Sequence, residues 1–405
     1  MKKILYRLGI IRPKLANIHK HSQTFLSNIA LNDKNPSLRL ASVAEIMDQQ
    51  LLARVVLESI HRDVRIAVVK KLLDNQILTR LVLEDKDTIV RSEAIEKLEN
   101  QQLLARVASE DKNIDVRFAA VKKLEDQQTL AKVALNDESG AIRMKAVDKL
   151  EDPTVLTKIA FEDENLIVRK AAVEKLEDQQ TLTKVALEDK ETDVRLAAVN
   201  KLEDQQALAN IAMNFHDANL TIRMAAVVKL QDQHLLAKIA LEAHALDLGS
   251  YATYQATSHL RRQAVAKLED QQLLSKVVLG GSYYTLVCKA AIEKLEDQQI
   301  LAKVAIEDKE IEVRRAAVKK LEDQQTLAKI ASEDENSFLC FDAVERLKDQ
   351  EGLAKVALES RYGRIREVAV YKLKDKKLLI KIASDSKDED VRKEALNKLK
   401  YLNYL

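Results

Sequence analysis

The chain repeats itself every 26 residues, and no other feature restricts its fold so severely. An arginine three residues ahead of an Ala-Val-like pair recurs as Arg39, Arg65, Arg91, Arg117, Arg143, Arg169 and Arg195, each 26 residues after the last. Arg223, Arg261, Cys288, Arg314, Cys340, Arg366 and Arg392 continue the column, so arginine fills it in twelve of fourteen units. The string LEDQQ starts at Leu124, Leu176, Leu202, Leu268, Leu295 and Leu321. A period this short means a stack of small units, none of which buries its apolar face alone. Length therefore does not count domains here, because such an array grows by adding units and not by enlarging one core.

The unit beginning at Asp189, DKETDVRLAAVNKLEDQQALANIAM, holds two helical patterns. In the second helix of a unit (B), Val194, Ala198, Val199 and Leu202 share one face. Asp193 reads as its N-cap, which puts the arginine column at its second position. In the first helix (A), entered after Asp204, Leu208, Ile211 and Ala212 form the apolar face. The aspartate of the corner recurs from Asp48 and Asp74 through Asp126, Asp152, Asp178 and Asp204 to Asp375, with Asn100 in the same place. Both residue types cap helices, so capping explains this column. Pro153 follows Asp152 at the first helical position, where a missing N–H costs nothing. Three prolines, seven glycines and 46% hydrophobic residues agree with a helical chain that has enough apolar surface for a continuous core. The expected fold is all-α, a right-handed α-α superhelix (solenoid) of about fourteen 26-residue two-helix repeats. It spans residues 22–400, after a basic N-terminal cap segment (1–21), with an insertion around 242–260 and a tail at 401–405.

The order L-x-D…L-x-x-x-A-x-x-D…V-R-x-x-A-V is carried by Leu176, Asp178, Leu182, Ala186, Asp189, Val194, Arg195, Ala198 and Val199. It resembles the HEAT-like repeats of the phycobilisome-lyase type, over residues 22–400. The period is shorter than is usual there and is similar to that of the leucine-rich repeat variant family, which pairs an α-helix with a 3₁₀-helix. That second resemblance implies an A helix that is partly 3₁₀. Both imply a helical solenoid that mostly binds proteins, with some nucleic-acid-binding and DNA-repair members.

Charged residues make up 32% of the chain, yet the net charge is only +2, so the overall charge points to neither nucleic acid nor an anionic membrane. No apolar run approaches the length of a membrane span. Cys288 and Cys340 are no disulfide framework; two repeats apart, they lie far beyond the ~7 Å that a bridge allows. They read as small apolar residues in a packed site. Together these features predict a cytoplasmic protein. Residues 1–32 hold Lys2, Lys3, Arg7, Arg12, Lys14 and Lys20 and no acidic residue. Arg7 interrupts the apolar stretch a signal peptide needs. The segment reads as a cap on the first repeat, with a membrane-surface or acidic-partner anchor as the alternative and a cleaved targeting segment as a third.

Two kinds of charged column recur. An aspartate six residues before the arginine forms the first with it: Asp111, Asp137, Asp163 and Asp189 precede Arg117, Arg143, Arg169 and Arg195. This reads as a structural ladder of charge-assisted bonds tying neighbouring repeats together, with an anion-binding arginine row as the sharper alternative. The second kind is basic: Lys71, Lys97, Lys123, Lys149 and Lys175 on helix B, and Arg80, Arg106, Lys132, Lys158 and Lys184 on helix A. Rows of this kind could track a phosphate backbone, but they read first as a solvated surface whose charges cancel, since duplication copies residues whether or not they are used.

The array breaks its own rule between residues 216 and 284. This stretch holds four of nine tyrosines, four of seven histidines and three of seven glycines. Tyr251, Tyr254, His259, Tyr283 and Tyr284 are the candidate partner-binding residues, the tyrosines on two adjacent inter-helix loops; an ordinary insertion is the bland alternative. No Gly-rich phosphate loop, Gly-x-Ser-x-Gly elbow or His-Glu-x-x-His motif occurs, and the histidines lack metal-ligand spacing. The expectation is a non-catalytic protein-binding scaffold or adaptor, needing no cofactor and no metal, with the 242–284 edge as its contact site. The alternative is a nucleic-acid-binding protein that uses the lysine columns.

Overall fold

The computed structural model describes residues 18–19, 21–214, 219–243, 251–280 and 284–402, with only the backbone described at 251–254. The expectations placed on Lys2, Lys3, Arg7, Arg12, Lys14, Lys20, His216, His244 and Tyr283 lie outside the described residues. Those described form 28 α-helices in fourteen successive pairs and no strand. The chain divides into two compact units, Met1–Val185 and Ala186–Leu405, the division falling within helix Gln179–Glu188.

In unit 1 the pair Gln127–Asn136 and Gly140–Lys149 is representative. Each helix has ten residues, barely three turns and too short to persist alone in water. Stability comes from the stack. Leu130, Val133 and Ala134 of helix A meet Ile142, Ala146, Val147 and Leu150 of the B side, all 4% exposed or less. The alanines let the helix axes approach, and each fully buried aliphatic side chain contributes about 1.5–3 kcal/mol.

Both helices of each pair are α, so the partly 3₁₀ A helix implied by the second resemblance does not occur. The corner aspartates cap the A helices. Asp152 accepts the Thr154 N–H at 2.8 Å, and Asp126 and Asp323 accept the Thr129 and Thr326 N–H groups at the same distance. Hydrogen bonds from these threonines, side chain first and backbone second, hold both carboxyls below the ordinary 3.8. The unfolded chain then binds those protons more readily than the folded one. The capping contribution is complete above 3.8 and is lost as pH falls below it. Thermal melts taken downward from about pH 5 should fall more steeply for the wild type than for Asp126→Asn, which has no charge to lose; parallel curves would refute this.

The B helices begin differently from expectation. Helix Thr192–Lys201 has Glu191 as its N-cap, and Asp193 lies inside its first turn. The column arginine is thus the fourth helical residue and not the second. Elsewhere Asn113, Asn165 and Asn219 fill the cap position and accept first-turn N–H groups. An acidic residue suits a helix's first turn through the helix dipole as well as its cap, which is why Asp193 resembled one. A second difference concerns the insertion. Residues 251–267 are one 17-residue helix, Tyr251–Lys267, so Tyr251 and Tyr254 stand on a helix and not on a loop.

Candidate functional site

Most of the recurrent polar residues are held in bonds between repeats. In unit 1 the Arg117 guanidinium donates to Asp137 at 2.8 and 3.2 Å and to the Asp111 carbonyl at 3.0 Å. Arg143 does the same with Asp163, at 2.7 and 2.9 Å, and with the Asp137 carbonyl at 2.8 Å. Arg65 and Arg91 donate likewise to Asp85 and Asp111, and Arg169 donates to the Asp163 carbonyl at 2.9 Å. Each aspartate also accepts an N–H of its own A–B loop: Asp87 on Asp85, Asn113 on Asp111, Ser139 on Asp137 and Asn165 on Asp163. One arginine therefore fixes its own loop and the next repeat together.

Unit 2 varies the theme. Arg195, Arg223 and Arg261 turn their Nε–H to helix A carbonyls or the residue just beyond, those of Ala186, Ala212 and Ala243, at 2.7–2.8 Å. Where cysteine fills the column, Cys340 Sγ lies 3.4 Å from the Ile330 carbonyl and Cys288 Sγ 4.0 Å from that of Val278. Both are buried thiols, and burial pushes each up to about 11. Neither should react with a thiol reagent at about pH 8 while the chain is folded, and both should react once it is denatured. Prompt native-state labelling would contradict this burial.

The helix B lysines close the preceding B helix. Lys97 donates to the Lys70 carbonyl at 2.9 Å, Lys123 to Glu96 at 2.7 Å and Lys149 to Lys122 at 2.8 Å. Lys320 and Lys398 repeat this in unit 2. Burial lowers the Lys149 and Lys372 amines from their ordinary value, with nearby Glu125 and Glu345 opposing the shift. Amines held against C-terminal carbonyls match the helix dipole and do not form an open row for phosphates. On the A helices, Arg54, Arg80 and Arg106 pair with Glu58, Glu84 and Glu110 one turn on, at 3.0, 2.8 and 3.2 Å.

The first glutamine of the corner has a role that sequence reasoning missed. Gln127 donates to the Lys149 carbonyl at 3.2 Å and accepts the Glu151 N–H at 2.9 Å. Gln271 treats Lys294 and Glu296 alike in unit 2. It pins the next repeat's B-to-A corner, about 24 residues away, with nothing local to announce it.

A stripe of helix B takes no part in the ladder and corner bonds, although some of its charges pair between repeats, as Lys122 does with Glu96 and Arg315 with Asp342. Residues two before, one after and five after the column position lie on one helical face and are exposed or half-buried. Their chemistry changes from repeat to repeat. The position one after reads Leu40, Ile66, Ser92, Phe118, Met144 and Lys170 in unit 1, and Arg262, Lys289, Arg315, Phe341, Glu367 and Lys393 in the last six repeats of unit 2. The exposed side of the A helices is more uniform at its centre, where a cation stands in twelve of fourteen units, from Arg54 to Lys381, with Asn28 and Asn210 the exceptions. The stripe's variance at fixed spacing was visible in the sequence, but only to a reading of what differs between repeats.

Of the five candidate residues, His259 lies on this stripe and is exposed. Tyr284 is half-buried, with the Arg261 guanidinium 3.9 Å above its ring. It is the N-cap residue of helix Thr285–Lys294, the place that Asn113, Asn165 and Asn219 hold in other repeats. Among the described residues no cluster suits a metal ion, and no helix is long and apolar enough to cross a membrane.

No protein-family model and no curated protein matches the sequence. Solved structures that align include Kap121p bound to Nup53p (12% identity, 99% of this chain, 47% of that chain, TM-score 0.27). Kap121p alone gives 12% identity over 96% of this chain and 46% of that chain, with a TM-score of 0.23. A computationally designed self-assembling cyclic homooligomer gives 11% identity over 100% and 99%, with a TM-score of 0.09. The chain spans about half the length of the first two.

Proposed function

We propose that this chain is a non-catalytic scaffold that binds a protein partner on the exposed stripe of its B helices. One observation carries the reading: the stripe varies in chemistry between repeats that are otherwise nearly the same, while the recurrent charges are held in bonds within the array. Exposed apolar side chains, among them Ile89, Phe118 and Ile167 in unit 1 and Leu286, Phe338 and Phe341 in unit 2, are of the type that anchors protein interfaces. The 242–284 edge enters through His259, with Tyr251, Tyr254, Tyr283 and Tyr284 as further contributors. The lysine-column alternative has less support, because those amines already donate to carbonyls. Capture on the immobilised full chain, with and without nuclease, separates the two. The proposal expects protein bands that survive nuclease and moderate salt. Bands that vanish with nuclease, or fall steeply with salt as phosphate contacts do, would overturn it.

A further inference from the structure

We infer that the stripe of the last three repeats takes a lysine- or arginine-bearing segment of a protein partner. This rests on the protein-binding reading above and gives it a chemistry. Helices Ser337–Arg346, Gly363–Lys372 and Glu389–Tyr401 of unit 2 line a groove of about 540 Å³. Glu345, Glu367, Asp390 and Glu394 face it, with Lys393 the one cation in its lining. None of the four carboxylates lies in an ion pair among the described residues, whereas neighbouring Asp342 is held by Arg315 at 2.7 Å. The column lysines of these repeats do not bridge the groove: Lys372 and Lys398 donate to the Val344 and Tyr371 carbonyls at 2.9 and 2.6 Å.

The groove also has an aromatic wall. Tyr371 is 69% exposed, and the Lys398 ammonium lies 4.6 Å from its ring centroid, so this ring already holds one cation. Phe338, equally exposed and two turns before Glu345 on the same helix, lies outside the groove's lining, with the Arg315 guanidinium 6.0 Å from its ring centroid. Open carboxylates beside an exposed ring recognise a cation on an aliphatic stem: the charge meets the carboxylates and the methylenes cover the ring. The position one after the column carries Arg262, Lys289 and Arg315 in the three repeats before these, and Arg364, on the stripe of these repeats, is outside the groove's lining, so the open carboxylates of the groove would place a basic segment in one register.

The test uses the full chain and a short labelled peptide of Lys-Lys-Leu units, read by fluorescence anisotropy, with a Glu-Glu-Leu peptide as counterpart. The lysine peptide should bind, more weakly as salt rises, and the glutamate peptide should not. Glu367→Lys/Glu394→Lys should weaken binding at least ~30-fold and Tyr371→Ala about fivefold. Glu296→Lys/Glu322→Lys makes the same charge change at exposed corner positions of this unit and should leave affinity within about twofold. Tyr371→Ala alters no charge and keeps the test decisive if the first variant misfolds. Equal weakening by both double variants, or equal binding of both peptides, would overturn the inference. It also falls if no peptide binds while Phe118→Asp/Met144→Asp still abolishes partner capture; that outcome leaves the broader protein-binding reading standing.

Discussion

Arg143→Ala is expected to cost about 3–5 kcal/mol in unit 1, the range for removing one partner of a buried ion pair. The pair qualifies: the Arg143 and Asp163 side chains are 7% and 6% exposed, against 58% and 64% for the surface pair Arg80–Glu84. Truncation leaves the Asp163 carboxylate inside with only the Asn165 N–H and leaves the Asp137 carbonyl without its donor. Urea unfolding of the full chain, followed by circular dichroism, should show the earliest transition moved down by about 1–5 M, given slopes of about 1–3 kcal/mol per M. A repeat array need not unfold in one step, so that first transition is the one to read. Arg80→Ala should cost less than about 1 kcal/mol. Similar losses for the two variants would mean that the ladder is no stronger than a surface pair.

Phe118→Asp with Met144→Asp is expected to reduce partner capture at least ~30-fold while leaving unfolding nearly unchanged. Both side chains stand on the exposed stripe of unit 1, Phe118 being 37% exposed, so neither substitution opens the core. A carboxylate placed at the centre of a desolvated interface typically loses 2 kcal/mol or more, which is about 30-fold in affinity. Phe161→Asp is the control: this A-helix side chain is 38% exposed and should change capture by less than about twofold. Equal loss from both sites would mean that recognition is not confined to the B helices.

How much of this was legible in the sequence follows from which residues announce themselves locally. Asp152 before Pro153, and Asp126 three residues before Thr129, are cap signals contained within one turn, so the A helices could be placed. Asp193 misled because a cap and a first-turn carboxylate look alike without backbone angles. The insertion looked like a loop because it lengthened the period. Yet from Tyr251 to Lys267 it contains neither proline nor glycine, and Gly249 falls just before the helix begins. The partners of Gln127 and Lys149 lie a whole repeat away and leave no local trace. The stripe was overlooked because duplication directs attention to what recurs, whereas recognition here is read from Ser92, Phe118, Met144 and Lys170 differing at one position.

Hydroxyl-radical footprinting of the full chain, alone and with its captured partner, tests directly whether the repeated charges build the array and the variable stripe recognises. The account predicts protection at Phe118 and Met144 in unit 1 or at Phe338, Phe341 and Tyr371 in unit 2, with Phe161 and Leu187 on the A helices unchanged. Protection along the A helices, with the B-helix stripe as reactive in the complex as in the free chain, would contradict it.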